Sequence, residues 1–510
     1  MYLRYLLFSL STLLLALAPP APATAQTPVY EAFAVDSAAA PRGGPFMLET
    51  FLSVNFKKPF MAQVANTSGR IVVKAVVEPN GHITDVQLVR GLRPDCNQEA
   101  LRVMRLFNAW KPALKDGKSV RQAITYAIPV KPNPTLFTKR LGDNRIQQTV
   151  YYGSNDQIKV SDNPPYPPTD YMFRVVMPVD TLGRVVGDAK AIVKRVGGHQ
   201  FVMKDATYLL SRERLTGKDS TEIRYQTALK DNCCRLFGPV QLTDETGRVR
   251  SDAQYSLIKR NEQTYSVTGM VEKLYEYIWD GSRTITWHPN GQLNEFRETK
   301  ISGLLPGQEV IRFLTVCDSA GNYQIQYGQG SRTWAERVKS RRDTATYTQF
   351  VQRATYSQGL KHGLCSGAYA DGSYSYQETY ENGTCLGGFA IVAERDTIRY
   401  TQARQSPTLV GGKAAADQLA SQVATYLKKP VQFGDFGGVK VDFRLDQAGR
   451  VLDRSVVWST KQLPTDTILR LFDNTKELWQ PAMVRGEPIE AAHVLLISYD
   501  FGQNAPTVSF

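Results

Sequence analysis

The fold of this chain is most constrained by residues 69–130, where a β-hairpin, a helix and a further strand are predicted in that order. Residues 71–77 and 83–89 are rich in β-branched side chains, which favour the pleated surface of a sheet. Asn80-Gly81 between them is a strong hairpin signal, because both residues tolerate a positive φ. The sequence therefore predicts an antiparallel hairpin at this point.

A helix and a closing strand are predicted after the hairpin. Asp95 and Gln98 have the spacing of a capping box, and apolar residues then recur at helical spacing as far as Phe107. A Trp-Lys-Pro-Ala element begins at Trp110, and residues 121–130 have the composition of a strand. We expect a small α+β unit in which the helix covers one face of the sheet.

The same order of motifs returns in residues 437–499. Two such units are much harder to obtain by chance than one. The matching positions are glycines of the hairpin and a Trp-x-Pro-Ala element: Gly69, Gly81, Trp110 and Pro112 in the first copy, and Gly437, Gly449, Trp479 and Pro481 in the second. We predict structural roles for these residues, with the two tryptophans as equivalent core residues.

Both copies resemble the C-terminal domain of TonB, the periplasmic energy transducer of Gram-negative bacteria. In the first copy, the resemblance rests on Gly69-Arg70, Asn80-Gly81, Glu99-Ala-Leu101, the Trp110 element and residues 126–130. It implies a domain that captures a short extended segment of an outer-membrane transporter by adding it as a strand to its own sheet. The implied partners are a TonB-dependent transporter or another envelope protein, and two such units also allow self-association by mutual pairing.

The resemblance implies that the closing strands, residues 122–130 and 492–501, offer the edges to which a partner strand is added. Residues 122–128 and 493–499 carry no charged side chain when His493 is neutral, so neither edge is guarded against pairing. The predicted partner-binding positions are Gln122, Ile124, Thr125, Tyr126 and Ile128 in the first unit, and His493, Leu495, Leu496, Ile497 and Tyr499 in the second.

An export signal is predicted over residues 1–25. Arg4 precedes an apolar run over residues 5–18, and Ala23-Thr-Ala25 has the small residues of a cleavage site. The apolar run is shorter than the roughly 20 residues of a spanning helix, so we predict cleavage after Ala25 and a periplasmic protein. The alternative is an uncleaved helix that anchors the chain in the inner membrane.

The remaining segments are predicted as a linker and two β-rich regions. Residues 26–50 are rich in Ala and Pro and have little pattern, which is typical of a linker. Residues 132–223 form a β-rich connecting region with Pro clusters, and residues 224–400 contain repeated hairpin turns beside aromatic strands. The latter region resembles degenerate MORN-type repeats, and an irregular antiparallel sheet is the alternative. The two units themselves are assigned to residues 51–131 and 406–502.

No catalytic, cofactor or metal site is predicted. The five histidines are scattered, and none has the spacing of paired metal ligands. Gly411-Gly-Lys413 lacks the Ser or Thr of a phosphate loop. We therefore expect a non-enzymatic protein without a cofactor. Among the six cysteines, we predict a disulfide between Cys365 and Cys385 of neighbouring hairpins.

Charge limits the class of partner, and two functions remain. The net charge of +13 becomes +12 once Arg4 is removed with the signal. This positive charge favours acidic partners and peripheral contact with anionic lipid headgroups. No Lys/Arg cluster is dense enough to bind nucleic acid, and export argues against a nucleic-acid partner.

Two functions are predicted. The first is a periplasmic interaction protein linked to TonB-dependent transmembrane transport. The second is a structural envelope protein whose MORN-like repeats contact membrane or peptidoglycan.

Overall fold

A computed structural model describes residues 28–132, 137–142, 145–152, 173–197, 200–216, 223–231, 234–256, 258–301, 309–393, 397–424, 436–459, 465–473, 479–500 and 507–509. The predicted export signal lies outside these residues. Among the helices that are described, none combines the length and the apolar character needed to cross a bilayer.

The first unit packs helices on a small sheet. Its elements are β1 (Val29–Tyr30), β2 (Ala40–Pro41), α1 (Pro45–Asn55), α2 (Phe60–Val64), β3 (Gly69–Val77), β4 (Ile83–Arg90), α3 (Pro94–Leu106), β5 (Trp110–Lys111), β6 (Ala113–Lys115) and β7 (Lys118–Val130). β3 lies between β4 and β7 and pairs antiparallel with both.

Residues 28–50 do not form the linker that their composition suggested. β1 pairs parallel with β7, β2 pairs with β5, and α1 begins at Pro45. Met47, Leu48, Phe51 and Leu52 are buried at helical spacing, a pattern too short to stand out beside the surrounding Ala and Pro. The predicted linker is therefore wrong for this stretch, which is part of the first unit.

A meander of twenty strands, β8 to β27, connects the two units, and each strand pairs antiparallel with the next. The strands are β8 (Phe137–Gly142), β9 (Arg145–Tyr152), β10 (Phe173–Val179), β11 (Ala189–Gly197), β12 (Gln200–Thr216), β13 (Ile223–Lys230), β14 (Leu236–Asp244), β15 (Val249–Tyr255), β16 (Lys259–Tyr265), β17 (Val271–Ile278), β18 (Gly281–Trp287), β19 (Leu293–Ile301), β20 (Glu309–Cys317), β21 (Tyr323–Gln326), β22 (Gln329–Lys339), β23 (Tyr347–Ser357), β24 (Leu360–Tyr369), β25 (Tyr374–Glu381), β26 (Thr384–Val392) and β27 (Ile398–Tyr400). The pairing of β12 with β13 joins the regions that were predicted as separate, residues 132–223 and 224–400.

Several hairpin turns of the meander use one hydrogen-bonding pattern. The Asp318 carboxylate accepts the backbone N–H groups of Ala320 and Asn322 at 2.9 and 2.8 Å, and Gly321 takes a positive φ of 82°. The same carboxylate contacts occur at Asp180 and Asp244. This Asp-x-x-Gly turn satisfies backbone donors locally, which explains the repeated turn signal in the sequence.

The predicted disulfide between Cys365 and Cys385 is not formed, and both thiols are free. Cys365 lies on β24 and Cys385 on β26, so β25 separates them. Strands are spaced by about 4.8 Å, which puts second neighbours at about twice that distance, beyond the reach of a disulfide.

The second unit repeats the helix, hairpin, helix and closing strand of the first, in that order. Its elements are β28 (Arg404–Gln405), β29 (Thr408–Leu409), α4 (Gly412–Ala424), β30 (Phe436–Leu445), β31 (Val451–Ser459), α5 (Thr465–Asp473), β32 (Trp479–Gln480), β33 (Ala482–Val484), β34 (Glu487–Ile489), β35 (Ala491–Asp500) and β36 (Thr507–Ser509). Its sheet has the order β31-β30-β35-β36, and β29 pairs with β32 as β2 pairs with β5.

The repeat begins earlier than the sequence motifs suggested. Gly43-Gly44 comes directly before α1, and Gly411-Gly412 lies 368 residues later, where Gly412 is the first residue of α4. All four glycines have positive φ. A Cβ on Gly81 would lie 2.4 Å from the carbonyl oxygen of Trp110. The equivalent distance from Gly449 to the carbonyl oxygen of Trp479 is 2.1 Å. In both units, the hairpin turn therefore packs directly on the backbone of the tryptophan.

Replacing Gly81 with alanine tests this close approach. The substitution adds a clash with the Trp110 carbonyl to the cost of a left-handed residue, which is about 1–2 kcal/mol. Gly117 is a matched control, because it has a positive φ of 71° and a Cβ there would meet nothing within 4 Å. We expect Gly117→Ala to lower the free energy of unfolding only by the cost of a left-handed alanine. Gly81→Ala should lower it clearly more, as measured by chemical denaturation. Equal costs would show that the turn does not touch Trp110.

The helices of the first unit pack against hairpin turns of the meander. Asn55 is buried at the end of α1, and its side-chain oxygen accepts the N–H of Val271 at 2.8 Å. A Cβ on Gly291 would lie 3.1 Å from the ring of Phe51 and 3.2 Å from that of Phe107. One apolar cluster thus continues from the first unit into the meander. The helix face is internal, so a partner of this unit has to use another surface.

The second unit contacts the meander through the turn between β33 and β34. Arg485 in this turn pairs with Glu378 of β25 at 2.7 Å, and its guanidinium lies 3.4 Å from the ring centre of Tyr376. Glu487 pairs with Arg341 at 2.7 Å beside it. These contacts hold the second unit against the end of the meander.

Candidate strand-acceptor site

The outer edge of β7 is partly covered by the chain itself. β1 pairs with Arg121 and Gln122 on the side away from β3. From Ala123 to Val130, no strand among the described residues pairs with β7 on this side. The predicted positions Ile124, Thr125, Tyr126 and Ile128 therefore lie along an open edge.

Gln122 was predicted to contact a partner, and the structure places it elsewhere. Its side chain is 2% exposed and its backbone lies opposite Tyr30 of β1. Its Oε1 accepts the N–H of Ala39 at 2.6 Å, and its Nε2 donates to the carbonyl of Ala123 at 3.4 Å. Gln122 thus closes the covered part of the edge, and the prediction for this residue is wrong.

The register shows which backbone groups of β7 face outward. In an antiparallel pair, alternate residues direct both N–H and C=O to the same neighbour. Proline is tolerated in a strand where its missing N–H would face away from the neighbouring strand. Pro129 is therefore one of the residues whose backbone groups point away from β3, which we call the outward set. Thr125 and Ala127 belong to the same set. These residues offer two N–H groups and three carbonyls to an added strand.

Side-chain contacts at both ends of the edge agree with this assignment. The outward carbonyl of Ala123 is bound by the Gln122 amide, and that of Lys131 accepts a hydrogen bond from Lys58 Nζ at 3.1 Å. The open stretch between them is therefore short and bounded at each end.

A cleft of about 730 Å³ lies between α1 and the open edge. Its walls are Phe46, Glu49, Thr50, Leu52, Ser53, Phe56, Lys58, Arg70 and residues 126–131. Phe46 is 69% exposed at its mouth, whereas Ile128 is fully buried at its base. An added strand would direct alternate side chains into this cleft, because successive residues point to opposite faces.

Sequence reasoning missed the α1 side of this cleft, because residues 26–50 were assigned to a linker. Recognising the buried spacing of Met47, Leu48, Phe51 and Leu52 as a helix face would have identified it.

The cleft is basic at the end where β7 finishes. Lys58, Arg70 and Lys131 line this end, and Glu49 is the single acidic residue in the lining. Burial lowers the pKa of the Lys58 ammonium. Burial raises the pKa of the Tyr126 hydroxyl, and the negative charge of Glu49 adds to this, so Tyr126 stays a hydrogen-bond donor at neutral pH. A segment with a carboxylate near this end would be favoured over a basic one.

The edge of the second unit is not open along its length. β36 pairs antiparallel with β35, with Leu496 opposite Ser509, Ile497 opposite Val508 and Ser498 opposite Thr507. α4 contacts β36 as well as β35. The prediction of a free edge is therefore wrong at Leu496 and Ile497, because the short strand β36, which follows β35 in the chain, covers them.

The other predicted positions of the second unit lie outside that pairing. His493 and Leu495 face Phe443 and Val441 of β30 in the register, and Tyr499 lies opposite Gly437. Leu495 is 2% exposed and belongs to the core. Burial lowers the pKa of His493, which keeps its ring neutral at pH 7.

The open edge of β7 falls within the part of the chain that matches a known family. No curated protein matches the chain. Residues 57–131, from the end of α1 to the end of β7, match the family model described as the Gram-negative bacterial TonB protein C-terminal.

Proposed function

We propose that this chain is a periplasmic interaction protein, whose first unit binds an extended segment of an outer-membrane transporter or another envelope protein. The observation that carries this proposal is the open, uncharged edge of β7 beside a cleft, inside the segment that matches the TonB C-terminal family. TonB C-terminal domains bind envelope and outer-membrane proteins in general, which supports a link to TonB-dependent transmembrane transport.

The geometry of β7 supports binding by strand addition. Main-chain hydrogen bonds to Thr125, Ala127 and Pro129 would supply affinity, and alternate side chains in the cleft would supply selectivity. The process requires no cofactor and no chemical step, so the proposed protein is not an enzyme.

We also propose that the second unit is a further copy of the same domain family. Both units contain a helix, a hairpin, a second helix and a closing strand in that order, and a pair of glycines with positive φ at the start of the first helix. Both also have the same contact between the hairpin glycine and the tryptophan carbonyl. The family match itself covers residues 57–131.

Replacing Thr125 with proline tests the proposed edge. The substitution removes an outward N–H and leaves the ladder between β3 and β7 intact, and Ile124 before it is already extended, as a residue before proline must be. We expect binding of synthetic peptides from periplasm-facing transporter segments to weaken at least tenfold, measured by fluorescence anisotropy, while the melting temperature changes little.

Tyr126→Pro is the matched control, because the N–H of Tyr126 faces β3. Its loss leaves a ladder carbonyl of β3 without its donor, which costs about 1–3 kcal/mol of stability. If Thr125→Pro lowers the stability of the unit as much as Tyr126→Pro does, the N–H of Thr125 is already bonded and the edge is not free. If Thr125→Pro leaves both stability and peptide binding unchanged, the partner binds another surface.

A structural envelope role is the alternative function. Trp279 and Tyr327 lie in hairpin turns of the meander and are 84% and 86% exposed. Such amphipathic rings suit a membrane interface. Co-sedimentation with anionic vesicles that depends on Trp279 would favour this role over peptide capture.

A further inference from the structure

The second unit contains an occupied version of the site that is open in the first. Ile128 lies opposite Ile71 of β3, and Ile497 lies opposite Val439 of β30, two residues after the opening glycine in each unit. Leu496 and Ser498 are therefore equivalent to Ala127 and Pro129. These are the positions of β35 that pair with β36.

β36 also occupies the place of the cleft. In the first unit, α1 and the end of β7 enclose the open space, and α4 and β35 are the equivalent elements in the second. α4 contacts β36 there. A strand of this chain thus sits between the helix and the closing strand, in the arrangement that strand addition would create in the first unit.

We propose that the edge of β35 is a second strand acceptor, which the chain's own β36 keeps closed. This inference rests on the proposed function, because it takes strand addition at this edge as the way such a unit binds. The chain then carries one open acceptor and one self-occupied acceptor.

The pairing of β36 defines the ligand that the β35 edge takes. The segment runs antiparallel to β35, and its residues opposite Leu496 and Ser498 exchange backbone hydrogen bonds with them. Thr507, Val508 and Ser509 are uncharged, and two of the three are β-branched, which suits an extended strand.

One residue distinguishes the two acceptors. Ser498 has an N–H to donate to an added strand, whereas the equivalent Pro129 has none. The β35 edge therefore offers one hydrogen bond more than the β7 edge at the same place. A segment bound at β7 has to centre on Thr125 and Ala127 instead.

β36 competes with any external strand for the edge of β35, because both bind the same backbone groups. A tethered segment competes at an effective concentration in the millimolar range. An external strand therefore binds the second unit only when β36 is displaced, so the second acceptor responds to partners that are abundant or tightly bound.

The experiment uses a fluorescent peptide with the sequence of residues 501–510 and three variants of the chain, in all of which Thr125→Pro prevents strand addition at the first unit. The first variant carries that change alone. The second also lacks residues 501–510. The third adds Leu496→Pro, which removes an outward N–H of β35, to the second. Ser509→Pro replaces the truncation if the shortened chain does not fold.

We expect the second variant to bind the peptide at least tenfold more tightly than the first, and the third to lose this gain while keeping its melting temperature. Equal binding by the first two variants, or no binding by either, would overturn the proposal. Because Thr125→Pro is present throughout, these outcomes leave the proposed function untouched. That function fails separately, if the chain with Thr125 does not bind transporter peptides.

Discussion

Replacing Arg485 with alanine is expected to lower the free energy of unfolding by about 3–5 kcal/mol, the cost of leaving one member of a buried ion pair without its partner. The Glu378 side chain is fully buried, and the Arg485 side chain is 16% exposed. Arg485 Nε lies 2.7 Å from Oε1 of this carboxylate. Without the guanidinium, the charge of Glu378 would be held by two hydroxyls alone, those of Tyr380 and Tyr400 at 3.1 and 3.2 Å.

The matched control for this prediction is Lys413→Ala. Lys413 pairs with Asp417 at the same distance of 2.7 Å, but the two side chains are 84% and 58% exposed. Exposed pairs contribute about 0–1 kcal/mol, so this variant should unfold almost as the original chain does. Hydrogen exchange of residues 436–500 would show whether Arg485→Ala releases the second unit. If Arg485→Ala and Lys413→Ala lower the free energy of unfolding by similar small amounts, the pair of Arg485 and Glu378 is not a buried ion pair.

The buried pair also shows what local sequence patterns leave open. Tyr374, Tyr376 and Tyr380 alternate along β25, and Glu378 falls at the inward position between two of them. Alternation predicts a buried side chain there, and glutamate predicts an exposed one. The conflict is settled by Arg485, 107 residues away in the chain, and no pattern within the strand contains that information.

The hairpin, the helix and the closing strand of each unit could be predicted because their signals are local. Asn80-Gly81 specifies a turn, the alternation around it specifies strands, and helical spacing up to Phe107 specifies α3. The internal repeat then identified the second unit from the same motifs.

The edges of the sheets could not be predicted, because short strands have weak local signals. β1 has two residues and β36 has three, too few for a period to be recognised. Yet β1 covers Arg121 and Gln122, and β36 covers Leu496. Which part of an edge stays open therefore depends on pairings with strands of two or three residues, and this made the candidate site only partly predictable.

Truncating Trp110 or Trp479 to alanine is expected to cost about 3–5 kcal/mol, the range for a buried large aromatic residue. Both side chains are 3% exposed. The Trp110 ring packs edge-on against Phe107 at 5.7 Å, and its Nε1 donates to the carbonyl of Phe107 at 3.2 Å. The Trp479 ring lies 4.8 Å from that of Phe443. Trp279→Ala is the control, because that side chain is 84% exposed and its loss should change stability by less than about 0.5 kcal/mol.

The two truncations should differ in which part of the chain they loosen. Trp110 belongs to the cluster that also contains Trp287 and Leu293 of the meander, whereas the cluster around Trp479 lies within the second unit. Trp110→Ala should therefore increase hydrogen exchange in β18 and β19 as well as in the first unit. Trp479→Ala should increase it in residues 436–500 and leave β18 and β19 protected. If both variants loosen the same segments, the two units do not have separate cores, and opening of the second acceptor could not occur independently of the first.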